Sequence, residues 1–210
     1  MSEVTNATVP AADSPSNSIF LIGMMGVGKS TIGRMLADAL GRHFYDCDRE
    51  LEARSGVTIS TIFEVEGEAA FRRRESQLLD ELSAEPGVVL ATGGGVVLAS
   101  ENCEQLRRRG LVIYLQSTLD EIARRTARDR TRPLLQSVDP RARIAELLKQ
   151  REPLYAGAAH LTFESAASNP RRLVERILRH PRVAALRAAH QVLAASPNVT
   201  PPVSQVIGDG

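Results

Sequence analysis

The sequence has 210 residues, which is enough for one domain with terminal tails. Its hydrophobic fraction of 43% and its charged fraction of 24% are ordinary for a globular protein. Because the formal net charge is only +1, no overall field favours nucleic acid or a membrane surface, and we expect neither as a partner. The two cysteines, Cys47 and Cys103, form no C-x-x-C pair, which is typical of a reducing compartment and disfavours a structural zinc site.

The two ends of the chain differ from its middle. Residues 1–17 are rich in Ser, Thr, Asn, Pro and Ala, lack the pattern of a signal peptide, and are predicted to be a disordered tail. No run approaches the roughly 18 apolar residues of a membrane span, so we expect a cytoplasmic protein. Residues 18–180 are predicted to form the domain. Residues 181–210 would be an extension, with one helix over 183–195 and then a disordered tail.

A strand, a glycine-rich loop and a helix follow one another at the start of the domain. An apolar run at 18–22 leads into the loop G-M-M-G-V-G-K-S at 23–30, and apolar residues then recur at helical spacing until Gly41. This order is the context that a phosphate-binding P-loop requires. The glycines let the loop N–H groups point at an anion, while Lys29 reaches the β- and γ-phosphates and Ser30 ligates Mg²⁺. The sequence therefore predicts nucleoside triphosphate binding rather than an accidental glycine-rich turn.

Alternating strands and helices occupy the rest of the domain. Strands are predicted over 43–45, 88–92, 111–115 and 160–164, and helices over 49–54, 59–65, 66–82, 100–109, 119–128, 141–151 and 170–180. This alternation is typical of an α/β fold with a parallel sheet and helices on both faces. Ligands bind such sheets at the carboxyl ends of the strands, where residues 23–30, 46–48 and 93–95 are placed.

Two aspartates, Asp46 and Asp48, lie at the predicted end of the second strand. On an extended strand end both side chains would face the same side. One carboxylate near Mg²⁺ and another near an acceptor hydroxyl would serve phosphoryl transfer to an alcohol, the second orienting the hydroxyl or accepting its proton. The alternative, that Asp48 only caps the following helix, stays open on spacing alone.

Two further stretches carry candidate ligand-binding groups. The helix over 66–82 contains a basic run in which one arginine, turned into the cleft and held by Glu75, would clamp a carboxylate. Its neighbours Arg73 and Arg74 are expected on a solvated face. The glycines at 93–95 would let backbone N–H groups approach a ligand, or would form a plain strand-to-helix turn.

The segment 129–137 is irregular, contains several arginines and lies between two predicted helices, which is typical of an active-site lid. Arg132 precedes a proline and is held extended, from where it would reach a transferring phosphate. The alternative is an arginine-rich solvent loop, which is expected for Arg128 and Arg130. The strand over 88–92 has no terminal Asp and no N-K-x-D stretch occurs, which disfavours a GTPase switch or a mechanical ATPase.

Taken together and in their order along the chain, these motifs resemble those of the shikimate kinase family over about residues 18–180. The matching stretches are G-M-M-G-V-G-K-S-T, F-Y-D-C-D, S-G-x-x-I-x-x-I-F, E-G-E-x-x-F-R-x-x-E, L-A-T-G-G-G, R-P-L-L and R-x-P-L-Y. The phosphate loop alone is unspecific, but the other stretches in this order are highly specific. Met24 stands where many members carry proline, and the two extensions lie outside the resemblance.

The resemblance implies a three-layer α/β/α P-loop fold with a five-stranded parallel sheet of order 2-3-1-4-5 and helices on both faces. It implies an acceptor-binding region over about 48–82, a lid over about 129–140, and a monomer. The implied activity is the phosphorylation of the 3-hydroxyl of shikimate by ATP, with Mg²⁺ as cofactor, on the route to chorismate and aromatic amino acids.

The same resemblance implies a role for each matching residue. Lys29, Asp48 and Arg132 would be catalytic, and Ser30 and Asp46 would lie at the metal. The ATP site would comprise Gly26, Val27, Gly28, Lys29, Ser30, Thr31, Arg125, Arg132 and Pro170, and the shikimate site Asp48, Arg72, Gly93, Gly94, Gly95 and Arg151.

Two alternatives remain at this point. A related kinase for gluconate or a nucleoside monophosphate would share the phosphate loop, but a nucleotide acceptor needs a base pocket that the sequence does not indicate. A non-catalytic nucleotide-binding module is the second alternative. It is disfavoured because Lys29, Asp46, Asp48, Arg72 and Arg132 are all present.

Overall fold

A computed structural model describes residues 17–127, 139–165 and 169–195. Its strands are β1 (Ser18–Ile22), β2 (Phe44–Asp46), β3 (Val89–Ala91), β4 (Gly110–Gln116) and β5 (Leu161–Glu164). These five strands form one parallel sheet of order β2-β3-β1-β4-β5, which confirms the predicted fold. The central strand β1 is fully buried because helices cover both of its faces, as its continuous apolar run predicts.

Eight α-helices and one short 3₁₀ helix (Val96–Leu98) surround the sheet in the described part of the chain. The helices are α1 (Lys29–Leu40), α2 (Cys47–Ser55), α3 (Ile59–Ala84), α4 (Ser100–Arg109), α5 (Leu119–Thr126), α6 (Pro140–Ala158), α7 (Pro170–Arg179) and α8 (Pro181–Ala195). In one group, α7 packs against both α1 and α8. In a second group, α4 packs against α3 and α6, and α5 packs against α6. These groups are the outer layers of the α/β/α sandwich.

Two helices differ from the predicted pattern. The predicted pair over 59–65 and 66–82 is one element, α3, whose helical geometry breaks only at Gly67 (φ 80°, ψ 170°). A backbone with φ near 80° favours glycine, so the break falls at this residue. The helix predicted over 141–151 continues to Ala158 as α6 and contains Pro153, although proline lacks the N–H that a helix interior uses.

The C-terminal helix α8 packs onto the domain, beyond its predicted boundary at residue 180. Val183 is fully buried in the core, and the guanidinium of Arg42 donates a hydrogen bond of 3.0 Å to the Leu186 carbonyl. Residues 1–16, 128–138, 166–168 and 196–210, which include most of the predicted tails and lid, lie outside the described residues. Within the described ranges, no helix is long and apolar enough to cross a membrane.

Candidate active site at the carboxyl edge of the sheet

The phosphate loop joins β1 to α1 and has the backbone that its glycines allow. Gly26 and Gly28 have φ angles of 75° and 95°, which residues with a Cβ rarely adopt. Helix α1 begins after Gly28 without a side-chain cap, so its first N–H groups and the positive end of its dipole face the loop. Lys29 Nζ donates to the carbonyls of Gly23 (2.8 Å) and Met24 (3.0 Å). This geometry would suit a bound anion, because backbone N–H groups and the Lys29 ammonium lie at the same loop.

The two aspartates lie at the junction of β2 and α2, and their geometry corrects the sequence-based prediction. Asp46 is the last residue of β2 and caps α2, since its Oδ1 accepts from the N–H groups of Asp48 (3.2 Å) and Arg49 (3.4 Å). Asp48 lies in the first turn of α2 and not on an extended strand end. The prediction that strand alternation aligns the two side chains is therefore wrong, and so is the alternative that Asp48 is the cap.

Both aspartates nevertheless line one open cavity of about 370 Å³ beside the phosphate loop. The cavity lies between the loop, α2, α3, α6 and the glycine turn after β3. Its lining includes the predicted site residues Ser30, Asp46, Asp48, Arg72, Gly94, Gly95 and Arg151. The remaining lining residues are Met25, Arg49, Glu52, Ile59, Phe63, Phe71 and Glu75.

Arg72 is the arginine of the basic run that faces this cavity. Its Nη1 lies 2.7 Å from Oε2 of the buried Glu75, and its Nη2 lies 3.0 Å from Glu68 Oε1. Burial raises the pKa of Glu75, against the opposing charge of Arg72, and the nearby Asp48 adds to the increase. By contrast, Arg74 pairs with Glu66 on the surface, as expected for a solvated face.

Arg151 approaches the same cavity from α6. It is 2% exposed, and its Nη1 donates to the Gly94 carbonyl at 3.1 Å. Among the described residues, its Nε has no hydrogen-bond partner and its guanidinium forms no ion pair with a carboxylate. A buried guanidinium without a carboxylate costs free energy, so an anion entering the cavity would be bound strongly there.

The glycine turn after β3 allows the backbone to pass between charged side chains. A Cβ on Gly93 would overlap Glu75 Oε1 and would lie 3.0 Å from Asp48 Oδ1. A Cβ on Gly95 would overlap the Arg72 guanidinium. The turn leads into the 3₁₀ helix, so it is both a strand-to-helix connection and a wall of the cavity.

A second cavity, of about 320 Å³, lies on the other side of the phosphate loop, against α7. Arg125 Nη1 donates to the Gly26 carbonyl (3.2 Å), and the Ser165 hydroxyl donates to the Val27 carbonyl (2.5 Å). The loop is thus fastened to α5 and to the end of β5. The cavity brings together the predicted ATP-site residues Gly26, Val27, Gly28, Thr31, Arg125 and Pro170, and adds Ile32, Ser165 and Leu173.

Ser30 and Asp46 have oxygen donors of the kind that Mg²⁺ prefers, and both line the first cavity. The described residues contain no group of three or more His, Cys, Asp or Glu side chains that would hold a metal ion alone. These two donors fit a metal that is also bound by substrate phosphates, which is how Mg²⁺ is usually held. The predicted lid residue Arg132 lies outside the described residues.

Some residues that line the two cavities were not predicted as site residues, and the sequence indicates them to different degrees. Glu75 was predicted only as the partner of Arg72, from the three-residue helical spacing. Phe63 and Phe71 stand within recognised motifs, but an aromatic residue at helical spacing indicates a core position as readily as a binding site. Ser165 gave no signal, because its contact with Val27 joins residues 138 positions apart.

Three comparisons agree on the relatives of this chain. The shikimate kinase family model matches residues 25–181. Shikimate kinases from Nitrosospira multiformis and Bordetella avium are 50% and 55% identical to the chain, covering 81% and 80% of it and 92% and 81% of their own lengths. The solved structure of a shikimate kinase from Acinetobacter baumannii in complex with shikimate is 46% identical, with a TM-score of 0.77, covering 80% of this chain and 93% of that one.

Proposed function

The chain belongs to the shikimate kinase family and is an ATP-dependent kinase of shikimate, and we propose that the cavity beside the phosphate loop is where the 3-hydroxyl is phosphorylated. The products are shikimate 3-phosphate and ADP, on the route to chorismate and aromatic amino acids. The observation that carries this location is the buried guanidinium of Arg151, which forms no ion pair with a carboxylate among the described residues.

The substrate carboxylate would bind between Arg72 and Arg151, which line the same cavity from α3 and α6. A planar guanidinium presents two parallel N–H groups to a carboxylate, and burial strengthens the attraction. The backbone of residues 93–95 would lie against the ring. Asp48, across the turn from Arg72, would then meet the reacting hydroxyl and orient it or accept its proton.

ATP would lie along the phosphate loop from one cavity to the other. The N–H groups of the loop and of the first turn of α1 would hold the phosphates, with Lys29 as the mobile cation. The base would lie between Arg125 and Pro170 in the second cavity, because a guanidinium stacks on a flat ring. Arg132 would contact the transferring phosphate from the lid.

Ser30 and Asp46 would hold Mg²⁺ at the boundary between the two substrates. Bound Mg²⁺ neutralises charge on the phosphate oxygens. Asp46 already uses Oδ1 to cap α2, and this hydrogen bond fixes the direction of its carboxylate. The cap therefore orients a proposed metal ligand, and it also places Asp48 in the first turn of α2.

We extend the proposal to a monomer in the cytoplasm. All residues assigned to the two substrates belong to one chain, so the proposed chemistry needs no second copy. Cys47 and Cys103 are free thiols, as is typical of proteins in a reducing compartment.

The test is ADP release by the purified protein with Mg·ATP, measured with shikimate, gluconate and a panel of nucleoside monophosphates. Turnover with shikimate alone is the expected result. Turnover with gluconate or a nucleotide instead would reassign the acceptor site. Binding of ATP without phosphorylation of any of them would favour a nucleotide-binding module.

A further inference from the structure

One backbone carbonyl in the glycine turn accepts hydrogen bonds from two side chains of α6. The Gly94 oxygen accepts from Arg151 Nη1 at 3.1 Å and from the Tyr155 hydroxyl at 2.5 Å. These side chains are four residues apart on the helix, so they project from the same face, one turn apart. Helix α6 therefore holds this carbonyl at two points, and both lone pairs of the oxygen are used.

The direction of this carbonyl determines the direction of the next N–H group. In a trans peptide, the C=O of one residue and the N–H of the next point in opposite directions. The structure has no cis peptide bond among its described residues, so the carbonyl held against α6 turns the Gly95 N–H the other way. Gly95 lies against the Arg72 guanidinium and lines the cavity that we assign to shikimate.

Tyr155 has no access to the cavity itself. Its side chain is fully buried, its ring stacks on Tyr114 with centroids 5.1 Å apart, and it is absent from the residues that line the cavity. Any effect of Tyr155 on the substrate must therefore be indirect, and the Gly94 carbonyl is the cavity-side group that its hydroxyl contacts. Burial raises the pKa of Tyr155, against the opposing influence of Arg151, so its hydroxyl stays protonated and acts as a donor.

We propose that Tyr155 is a positioning residue for shikimate. Its hydroxyl holds the Gly94 carbonyl in place, so that this carbonyl in turn orients the Arg151 guanidinium that donates to it and sets the direction of the Gly95 N–H. This inference rests on the proposed function. It assigns a role to the tyrosine hydroxyl that ring packing alone does not require, since a phenylalanine would fill the same space and stack on Tyr114.

The test compares Tyr155→Phe with Tyr114→Phe, which removes the other hydroxyl of the same stacked pair. Steady-state kinetics give the KM for shikimate, the KM for ATP and kcat, and calorimetry gives shikimate binding without turnover. Loss of one hydrogen bond of ordinary strength predicts a rise of roughly three- to tenfold in the shikimate KM and Kd for Tyr155→Phe. We expect the ATP KM to stay within about twofold of the wild-type value, and Tyr114→Phe to leave both KM values unchanged.

The other outcomes overturn the inference. If Tyr155→Phe lowers the melting temperature without changing the shikimate KM or Kd, the hydroxyl is only structural. If Tyr114→Phe raises the shikimate KM as much as Tyr155→Phe does, the effect belongs to the packing of the pair and not to the Gly94 hydrogen bond. The wild-type protein is assayed beside both variants. Failure of the wild type to phosphorylate shikimate would contradict the proposed function, whereas equal kinetics of wild type and Tyr155→Phe would contradict this inference alone.

Discussion

Arg72 and Glu75 form an ion pair of 2.7 Å across one turn of α3, and both line the cavity beside the phosphate loop. Glu75 is 3% exposed, and its second oxygen has no hydrogen-bond partner among the described residues. Glu68 holds the guanidinium on its outer side. Arg72 is therefore fixed between two carboxylates while it faces the cavity, so that little conformational entropy remains to be lost when an anion binds.

Arg72→Ala should weaken shikimate binding far more than ATP binding. Removal of one partner of a buried, hydrogen-bonded charge pair costs about 2–5 kcal/mol. We expect the shikimate KM to rise accordingly, with a nearly unchanged ATP KM because the phosphate loop is not altered. Arg74→Ala is the matched control, since its surface pair with Glu66 lies outside the cavity. Equal shikimate kinetics of the two variants would place Arg72 on the solvated face.

Glu75→Gln should separate function from stability. The folded-state pKa of Glu75 is raised, chiefly by burial, so its contribution to stability is complete below the unfolded-state pKa and is lost as pH rises through the folded pKa. The amide carries no charge, so the free energy of unfolding of the variant relative to wild type should increase between pH 4 and pH 7.5. The shikimate KM should rise, because Arg72 loses one of its two anchors. Urea unfolding at the two pH values measures the first effect, and a relative stability that falls toward pH 7.5 would contradict it.

The features that local sequence decides could be predicted, and the phosphate loop is the best example. Apolar residues mark β1, glycines allow the loop backbone, and Gly41 ends α1 in the left-handed conformation (φ 64°). Each signal acts within a few residues, so the predicted boundaries agree closely with the structure. The pairing of Arg72 with Glu75 was predictable for the same reason, since helical spacing brings residues three apart together.

Features that depend on distant contacts could not be predicted from local patterns. Gly94 and Tyr155 are 61 residues apart, and no periodicity indicates that the tyrosine hydroxyl meets that carbonyl. The error at the second strand concerns where α2 begins. Asp46 caps this helix, so Asp48 already lies in its first turn, and the sequence alone does not tell which of the two aspartates is the cap. Arg151 entered the predicted site only through the family resemblance. Its burial against the glycine turn is a tertiary fact that single-sequence reasoning does not reach.

The stability of the β4–β5 edge should fall in acid because of His160. Its Nδ1 accepts the Val112 N–H at 3.0 Å, which only the neutral imidazole can do. Burial lowers the pKa of His160, and the charges of Arg107 and Arg182 lower it further. A base with a lowered folded-state pKa contributes stability above its unfolded-state value of about 6.5, which is lost as pH falls through the folded pKa.

His160→Asn tests this prediction, because its side-chain oxygen can replace Nδ1 as the acceptor without titrating. The difference in unfolding free energy between pH 7.5 and pH 5 should be smaller in the variant than in wild type. His43→Asn, at an exposed site on the opposite edge of the sheet, is the control and should keep the wild-type dependence. An identical pH dependence in all three proteins would show that His160 does not contribute.

Arg42 should stabilise the protein by attaching α8 to the domain. Its guanidinium is buried and donates to the carbonyls of Leu186 and Asn17, so it joins the two ends of the described chain. Arg42→Met should lower the free energy of unfolding by about 1–3 kcal/mol through loss of charged hydrogen bonds, with unchanged shikimate and ATP KM values. Arg34→Met, on the exposed side of α1, should cost less, on the order of 0.5 kcal/mol. A larger loss for Arg34→Met than for Arg42→Met would refute the attachment role.

Asp48→Asn should lower kcat while ATP binding is nearly unaltered. The amide has almost the same shape as the carboxylate, but it cannot accept the proton of the acceptor hydroxyl, and positioned general bases contribute roughly 10²–10⁴-fold to rates. The phosphate loop lies in a separate segment and keeps its contacts, so nucleotide affinity should stay within about twofold, the change expected when no ligand hydrogen bond is lost. Glu50→Gln on the same helix removes a charge outside the cavity lining and should leave kcat unchanged. Single-turnover phosphorylation of shikimate measures the chemical step directly. A wild-type rate in Asp48→Asn would remove this residue from proton transfer and leave it, at most, an orienting group.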